Sequence, residues 1–357
     1  MGRTYIIGEA GVNHNGSIEM AKQLVDAAAE SGVDAVKFQS FNADLMVSRQ
    51  APKAEYQHRN TQVQESQYEM LKRLELSREM HLELLAYCKE KGIEFLSTPF
   101  DTESLEMLVR DCDVAQIKIP SGEITNAPLL LSIAKTGKNV ILSTGMSNLG
   151  DIEIALGVLA YGYMGKNGKP TMETFLEAYH SEDGRAILQS KVVLLHCTTE
   201  YPASPEDVNL CSMETLEKAF GLPVGFSDHT QGMAIAFAAV AKGASLVEKH
   251  FTLSRNLPGP DHKASLEPAE LKMMVTGIRK VELALGKTMK VPVASELKNK
   301  AIARKSLVAA KDIRQGEKYT NENIAIKRPG DGVSPIYYWD WIGKMSDRDY
   351  KKDEKIR

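Results

Sequence analysis

Three features of the sequence predict a (β/α)₈ barrel followed by a small β-rich domain. Eight short apolar runs alternate with amphipathic helical stretches, nearly every run ends in polar or small residues, and beyond about residue 286 the rhythm gives way to short runs dense in Gly and Pro. Continuous apolar runs of this length suit strands covered on both faces, and their alternation with helices indicates βα units. A closed barrel of the TIM type gathers all its strand ends at one rim, where its active site is built; an open sheet does not make eight ends converge. A chain of 357 residues has room for one large domain and one small one.

The strand-like runs are Tyr5–Gly11, Asp34–Ser40, Ile93–Phe100, Val114–Gly122, Val140–Met146, Lys191–Cys197, Pro223–His229 and Ser245–Phe251. Helical periodicity covers the stretch from Ser17, an N-cap, to Gly32, a stop. Further helices fit His81–Lys91, Ala127–Lys135, Ile152–Leu159, Met233–Lys242 and Pro268–Leu285. Two insertions interrupt the rhythm: Asn42–Arg78, long and polar, and Gly162–Ser190, with a helix-like middle at Met172–Tyr179. Segments this long in a compact domain are lids, assembly elements or mobile stretches. The predicted division is a barrel at 1–287, a charged linker at 288–304 and a β-rich domain at 305–357 that docks or caps.

With 44 Lys and Arg against 47 Asp and Glu, the net charge of −3 argues against a nucleic-acid or membrane-surface role. Cys88, Cys112, Cys197 and Cys211 form no C-x-x-C pair and read as buried free thiols of a reducing compartment. The N-terminus runs directly into a strand, with no leader-like segment and no bilayer-length apolar run, so the expected location is the cytosol.

The strand ends carry the candidate chemistry. His229 and His250 end the seventh and eighth runs, neighbours in a barrel; they read either as a pair sharing one divalent ion or as hydrogen-bonded structural histidines. His196 is the competing candidate and reads as structural. Lys37 and Lys118 lie inside apolar runs, where an unpaired ammonium is costly. They read either as snorkelling or ion-paired lysines, or as inward cations holding a phosphate and a carboxylate, helped by Ser121, Ser143, Thr144 and Ser227. Glu9 reads either as a rim carboxylate that binds a sugar hydroxyl, orients water or moves a proton, or as the partner of a rim lysine. Asp261 sits in a stiff loop past the eighth strand, placed for substrate hydroxyls, and Arg328 suits planar or amide recognition if its domain covers the barrel mouth.

Eight segments in order resemble the bacterial sialic acid synthase family: Glu9-Ala-Gly-Val-Asn-His-Asn-Gly, Val36-Lys-Phe-Gln, Ser97-Thr-Pro-Phe-Asp, Lys118-Ile-Pro-Ser-Gly-Glu, Leu142-Ser-Thr-Gly-Met, His196-Cys-Thr-Thr-Glu-Tyr-Pro, Ser227-Asp-His-Thr and Glu248-Lys-His-Phe-Thr. The resemblance runs from about residue 4 to the end, where Lys327-Arg-Pro-Gly is similar to the Arg-bearing loop of that family's antifreeze-protein-like (SAF) domain. It implies a homodimer with exchanged SAF domains, and Mn²⁺ or Mg²⁺ on His229 and His250. It further implies a phosphoenolpyruvate pocket of Lys37, Thr98, Lys118, Ser121, Ser143 and Ser227. Sugar contacts would come from Glu9, Gln39, Tyr201, Asp261 and, across the dimer, Arg328; Thr199 stands where the family pattern has Asn and is left out of the site.

The activity implied is condensation of phosphoenolpyruvate with N-acetylmannosamine to give N-acetylneuraminate and phosphate. The alternative acceptor is 2,4-diacetamido-2,4,6-trideoxy-mannose, giving N,N′-diacetyllegionaminate; Pro258-Gly-Pro-Asp-His-Lys-Ala-Ser resembles that branch, and Ala51-Pro-Lys-Ala-Glu-Tyr-Gln the neuraminate branch. Pseudaminate- and heptulosonate-type reactions, and a non-catalytic carbohydrate-binding protein, stand further off.

Overall fold

Each apolar run becomes a strand and each amphipathic stretch a helix, with boundaries adjusted by local chemistry. The computed structural model describes residues 2–61 and 63–357. The strands are β1 (Tyr5–Gly11), β2 (Ala35–Ser40), β3 (Glu94–Pro99), β4 (Gln116–Ile119), β5 (Asn139–Ser143), β6 (Val192–Cys197), β7 (Val224–Asp228) and β8 (Leu246–His250). All their pairings are parallel, in the order β3-β2-β1-β8-β7-β6-β5-β4, and β3 and β4 close the ring side by side. The first helix, Ile18–Ser31, starts where the Ser17 hydroxyl accepts from Met20 N–H and stops at Gly32, which adopts φ 78° as a left-handed cap.

Side chains alternate across a strand, so every second residue enters the barrel lumen. Ile7, Ala35, Leu96, Ile141, Leu195 and Leu246 fill one lumenal layer. Two positions further along each of five strands come Glu9, Lys37, Thr98, Ser143 and Glu248, one layer higher and toward the C-terminal rim. The apolar layer thus floors the site. Gly225 completes the floor on β7, where an added Cβ would lie 2.5 Å from the Leu246 carbonyl oxygen and 2.7 Å from Leu195. The larger core lies outside the lumen, between strands and helices.

The insertion after β2 is helical: Ala43–Met46, Glu55–Thr61 and Gln67–Lys72. It buries its own apolar cluster of Val12, Phe41, Ala43, Met70, Leu71 and Leu74. The second insertion begins later than its sequence suggests, because the helix Leu149–Tyr163 runs through Gly162; two helices follow, Met172–His180 and Glu182–Lys191. Tyr161 and Phe175 pack edge to face there, with centroids 5.4 Å apart. These helices pack on Leu149–Tyr163, on the outside of the barrel.

The chain divides into a unit ending at Gly286 and a second from Lys287 to Arg357. The second opens with an exposed helix, Ala294–Ala303, inside the stretch expected as a linker. Its β9 (Ser306–Ala309) and β10 (Ile324–Lys327) pair antiparallel over a core of Leu307, Ile313, Tyr319, Ile324, Tyr350 and Ile356. The cysteines are all free, but only Cys88, Cys112 and Cys197 are buried; Cys211 is exposed, which corrects the expectation of four buried thiols. Among the described residues no helix is long and apolar enough to cross a membrane.

Candidate active site

The rim layer meets in one cavity of about 250 Å³. Glu9, Lys37, Gln39, Thr98, Lys118, Ser121, Ser143, Tyr201, Ser227, His229, His250 and Asp261 all line it. Thr144, also singled out in the sequence, does not line it, and Arg328 belongs to the second unit, where it is exposed and its Nε donates to the Ala303 carbonyl at 2.9 Å. His196 Nε2 donates to the Val208 carbonyl, 2.6 Å away, and does not line the cavity. Since lone pairs face lone pairs otherwise, that nitrogen carries the proton.

A buried ion cluster occupies the centre. Lys37 pairs with Glu9, donates to Thr98 Oγ1 at 3.1 Å, and lies 3.6 Å from Glu248 Oε2. Lys118 lies 3.5 Å from Glu248 Oε1, which also accepts from the Ser227 hydroxyl at 2.8 Å. Each of these charged side chains is at most 5% exposed, so a partner's removal would leave an uncompensated charge. Burial alone would raise Glu248, but Lys118 and Lys37 outweigh it and hold the carboxyl down at about 2. Glu9 has Lys37 as its close partner, and burial pushes it up to about 7. Burial likewise pushes Asp261 up to about 6. Burial lowers Lys118, while Glu248 opposes that shift.

Beside the cluster stand the two histidines, with ring centroids 5.7 Å apart and planes inclined at 61°. Burial lowers His229 to about 4 and drives His250 well below the usual imidazole range, so both are neutral at pH 7. His229 Nδ1 lies 2.6 Å from the Thr198 carbonyl and must donate, which leaves Nε2 with a lone pair near Ser227 Oγ at 3.2 Å. His250 Nδ1 is buried with no hydrogen-bond partner. Neutral imidazoles with an orphaned ring nitrogen and a free lone pair fit a divalent cation. Among the described residues no cluster of three or more His, Cys, Asp or Glu is arranged to hold a metal, so solvent or substrate oxygens would fill the other positions of such an ion.

Several residues at the cavity and the ion cluster carry no clear signal in the sequence. Glu248, at the centre of the ion cluster, is not among the residues singled out in the sequence, yet alternation from His250 places Glu248 in the lumen and Lys249 outside it. Asp228 and Lys249, polar residues at the ends of the seventh and eighth runs, pair with each other at 3.0 Å and do not line the cavity. Thr199, set aside, does line it, with a buried hydroxyl lacking any partner. Tyr56, Gln57 and Gln67 reach the cavity from the first insertion, with Met46, Met70, Leu71 and Leu74 beside them. No spacing signal announces that the insertion folds over the mouth.

A (β/α)₈ barrel with buried lysines, carboxylates and paired histidines at its C-terminal rim defines an enzyme that works on anionic, oxygen-rich substrates. The NeuB family pattern matches residues 24–290, and the SAF domain pattern matches 304–357. The chain is 50% identical to the N,N′-diacetyllegionaminic acid synthase of Campylobacter jejuni over 357 residues, all of both chains. It is 45% identical to the enzyme of the same name from Legionella pneumophila over 331 residues, 93% of this chain and 87% of that one. The solved N-acetylneuraminic acid (sialic acid) synthetase of Leptospira borgpetersenii, in complex with citrate, superposes with a TM-score of 0.66 at 32% identity, covering 84% of this chain and 90% of that one. The chain belongs to the NeuB family and is a sugar synthase of the sialic-acid type.

Proposed function

We propose that this chain condenses phosphoenolpyruvate with 2,4-diacetamido-2,4,6-trideoxy-mannose, giving N,N′-diacetyllegionaminate and phosphate. The observation that carries the acceptor is the full-length 50% identity to a synthase of that name, supported by the 45% relative. The sequence reading put N-acetylmannosamine first and this sugar second; the relatives favour the second. The cavity wall agrees with it. Met46, Met70, Leu71, Leu74 and Phe100 offer apolar surface, and the diacetamido-trideoxy sugar carries two methyl groups that N-acetylmannosamine lacks.

Lys37 and Lys118, with the hydroxyls of Ser121, Ser143 and Ser227, hold the phosphate and carboxylate of phosphoenolpyruvate. Ser121 Oγ accepts from Gly145 N–H at 3.0 Å, so its hydrogen is available to an anion. His229 and His250 would hold Mn²⁺ or Mg²⁺, which when bound supplies Lewis-acid polarisation of the sugar aldehyde and positive charge that this balanced cluster lacks. C3 of phosphoenolpyruvate bonds to the aldehyde carbon as the C=O π bond breaks onto oxygen. Water adds at C2, and collapse of that centre to a ketone breaks the C2–O bond and expels phosphate; the proton taken from the water ends on the new sugar hydroxyl. Glu9, ionised above about 7, takes the proton of the adding water. Asp261 and Gln39 accept from and donate to the sugar hydroxyls. The lumen floor of Ile7, Leu96, Ile141, Leu195 and Leu246 excludes water from below.

The proposal includes a cytoplasmic homodimer in which the second unit of one chain covers the barrel of another. Ile336, Tyr337 and Trp339 are 80, 54 and 81% exposed on that unit and give it an apolar docking face. The deciding experiment is phosphate release from phosphoenolpyruvate with Mn²⁺, comparing the two acceptors. Preference for the diacetamido sugar is expected; preference for N-acetylmannosamine returns the chain to the neuraminate reading.

A further inference from the structure

The first insertion crosses the barrel mouth as a strap. Its helix Glu55–Thr61 is tied to two rim loops: Asn60 Nδ2 donates to the Pro260 carbonyl at 2.6 Å, and Arg59 pairs with Glu200 at 2.8 Å. Tyr56 packs on Tyr201 with ring centroids 5.0 Å apart, and Tyr201 in turn packs on His229. The strap is internally braced by Lys53, whose fully buried ammonium donates to Thr61 Oγ1 at 2.8 Å and to the Val63 carbonyl at 2.7 Å. A buried lysine that ties together the two flanks of this helix fixes where residues 56 and 57 sit.

What the strap presents to the cavity is specific chemistry. Gln57 Oε1 accepts from Ala54 N–H at 2.9 Å, which orients the amide and turns Nε2 toward Tyr56 Oη at 3.3 Å. Both side chains line the cavity, with Gln67 and the apolar side chains of Met46, Met70 and Leu74 around them. The corner therefore offers an N–H donor, a phenolic oxygen and an apolar wall together. An acylamino group matches all three, with a carbonyl acceptor, an N–H donor and a methyl; a hydroxyl matches only the polar part.

We propose that this corner, with Gln57 and Tyr56 as specificity residues, reads the second acylamino group of the acceptor, the one at C4. The assignment rests on the diacetamido acceptor proposed above. Lys37, Lys118 and the histidines belong to the reacting end of the sugar and to phosphoenolpyruvate, whereas the strap belongs to the acceptor's distal substituent.

The test uses the full-length Mn²⁺-loaded protein and phosphate release. It compares the diacetamido-trideoxy sugar with its analogue bearing a hydroxyl at C4, in wild type, Gln57→Leu and Tyr56→Phe. Gln57→Leu keeps the side-chain volume, and circular dichroism confirms that both variants are folded. Wild type favours the diacetamido sugar, and the ratio of kcat/KM for the two acceptors falls about tenfold or more in Gln57→Leu, with KM for phosphoenolpyruvate held. Equal losses on both acceptors, or an unchanged ratio in both variants, overturns the assignment while leaving the function intact. A wild type with no preference for the diacetamido sugar overturns the acceptor itself, and is read before any variant is made.

Discussion

The ring of Tyr201 lies 4.2 Å from that of His229, inclined at 31°, and holds the imidazole between an aromatic face and the Thr198 carbonyl. The nitrogen facing the cavity is thereby the unprotonated one before any ligand arrives. A preset lone pair of this kind lowers the reorganisation needed to bind a cation.

Mn²⁺ added to the wild-type protein is accordingly expected to lose its free-ion electron paramagnetic resonance signal in a stoichiometric titration. His250→Ala should leave the signal untouched, and a chelator should stop turnover of the wild type. Full Mn²⁺ binding by His250→Ala would remove the histidine pair as the metal site.

Replacing Glu248 by Gln leaves two buried ammonium groups with one carboxylate between them. Loss of one partner from a buried pair costs about 3–5 kcal/mol, so urea unfolding of Glu248→Gln should shift by that order. A shift below about 1 kcal/mol, the size of a surface pair, would mean that the cluster is solvated in solution.

Glu9→Gln removes the only proposed proton acceptor near C2 of phosphoenolpyruvate. The expected loss in kcat is about 10²–10⁴-fold, the usual range for a positioned base, measured by steady-state phosphate release. A kcat within a factor of a few would reassign Glu9 to holding Lys37.

Asp261, proposed to bind sugar hydroxyls, is the stronger acceptor when ionised, and burial pushes its pKa up to about 6. Below that pH the protonated carboxyl loses acceptor capacity, so KM for the acceptor should rise as pH falls through 6 and level off above it. Asp261→Asn should flatten this limb; a limb that survives belongs to another group.

Gly145 packs where a Cβ would lie 2.4 Å from Thr199 Oγ1 and 2.7 Å from Ser121 Oγ. Gly145→Ala must push Ser121 aside, costing about 1–3 kcal/mol of stability. KM for phosphoenolpyruvate should rise more than KM for the sugar if Ser121 holds the phosphate end, as proposed above.

The barrel was legible because its strands are buried on both faces and read as unbroken apolar runs. Lys37 and Lys118 stood out for the same reason, as charges in apolar surroundings. Glu248 was hidden by its neighbours: in Glu248-Lys-His250 all three residues are polar, and only the two-residue alternation tells which pair enters the lumen. The insertion was legible as one of three things, a lid among them, but its course over the mouth was not, because its polar surface is that of any exposed segment. Its course is set by Lys53, Asn60 and Tyr56 finding partners at distances in sequence of 8 to 200 residues. Gly162 was misread as the start of an insertion, because glycine in a helix is a stop signal unless a neighbour needs the space; here Ala134 does, with its Cβ 2.5 Å from where a Gly162 Cβ would fall.

The ties of the strap to the rim are few and individually weak. Arg59 and Glu200 are 57 and 50% exposed, so their pair contributes little. The Asn60 hydrogen bond and the Tyr56 ring contact contribute about 1 kcal/mol each. Braced internally by Lys53 and lightly latched to the rim, the helix can lift as one piece without disturbing the barrel beneath.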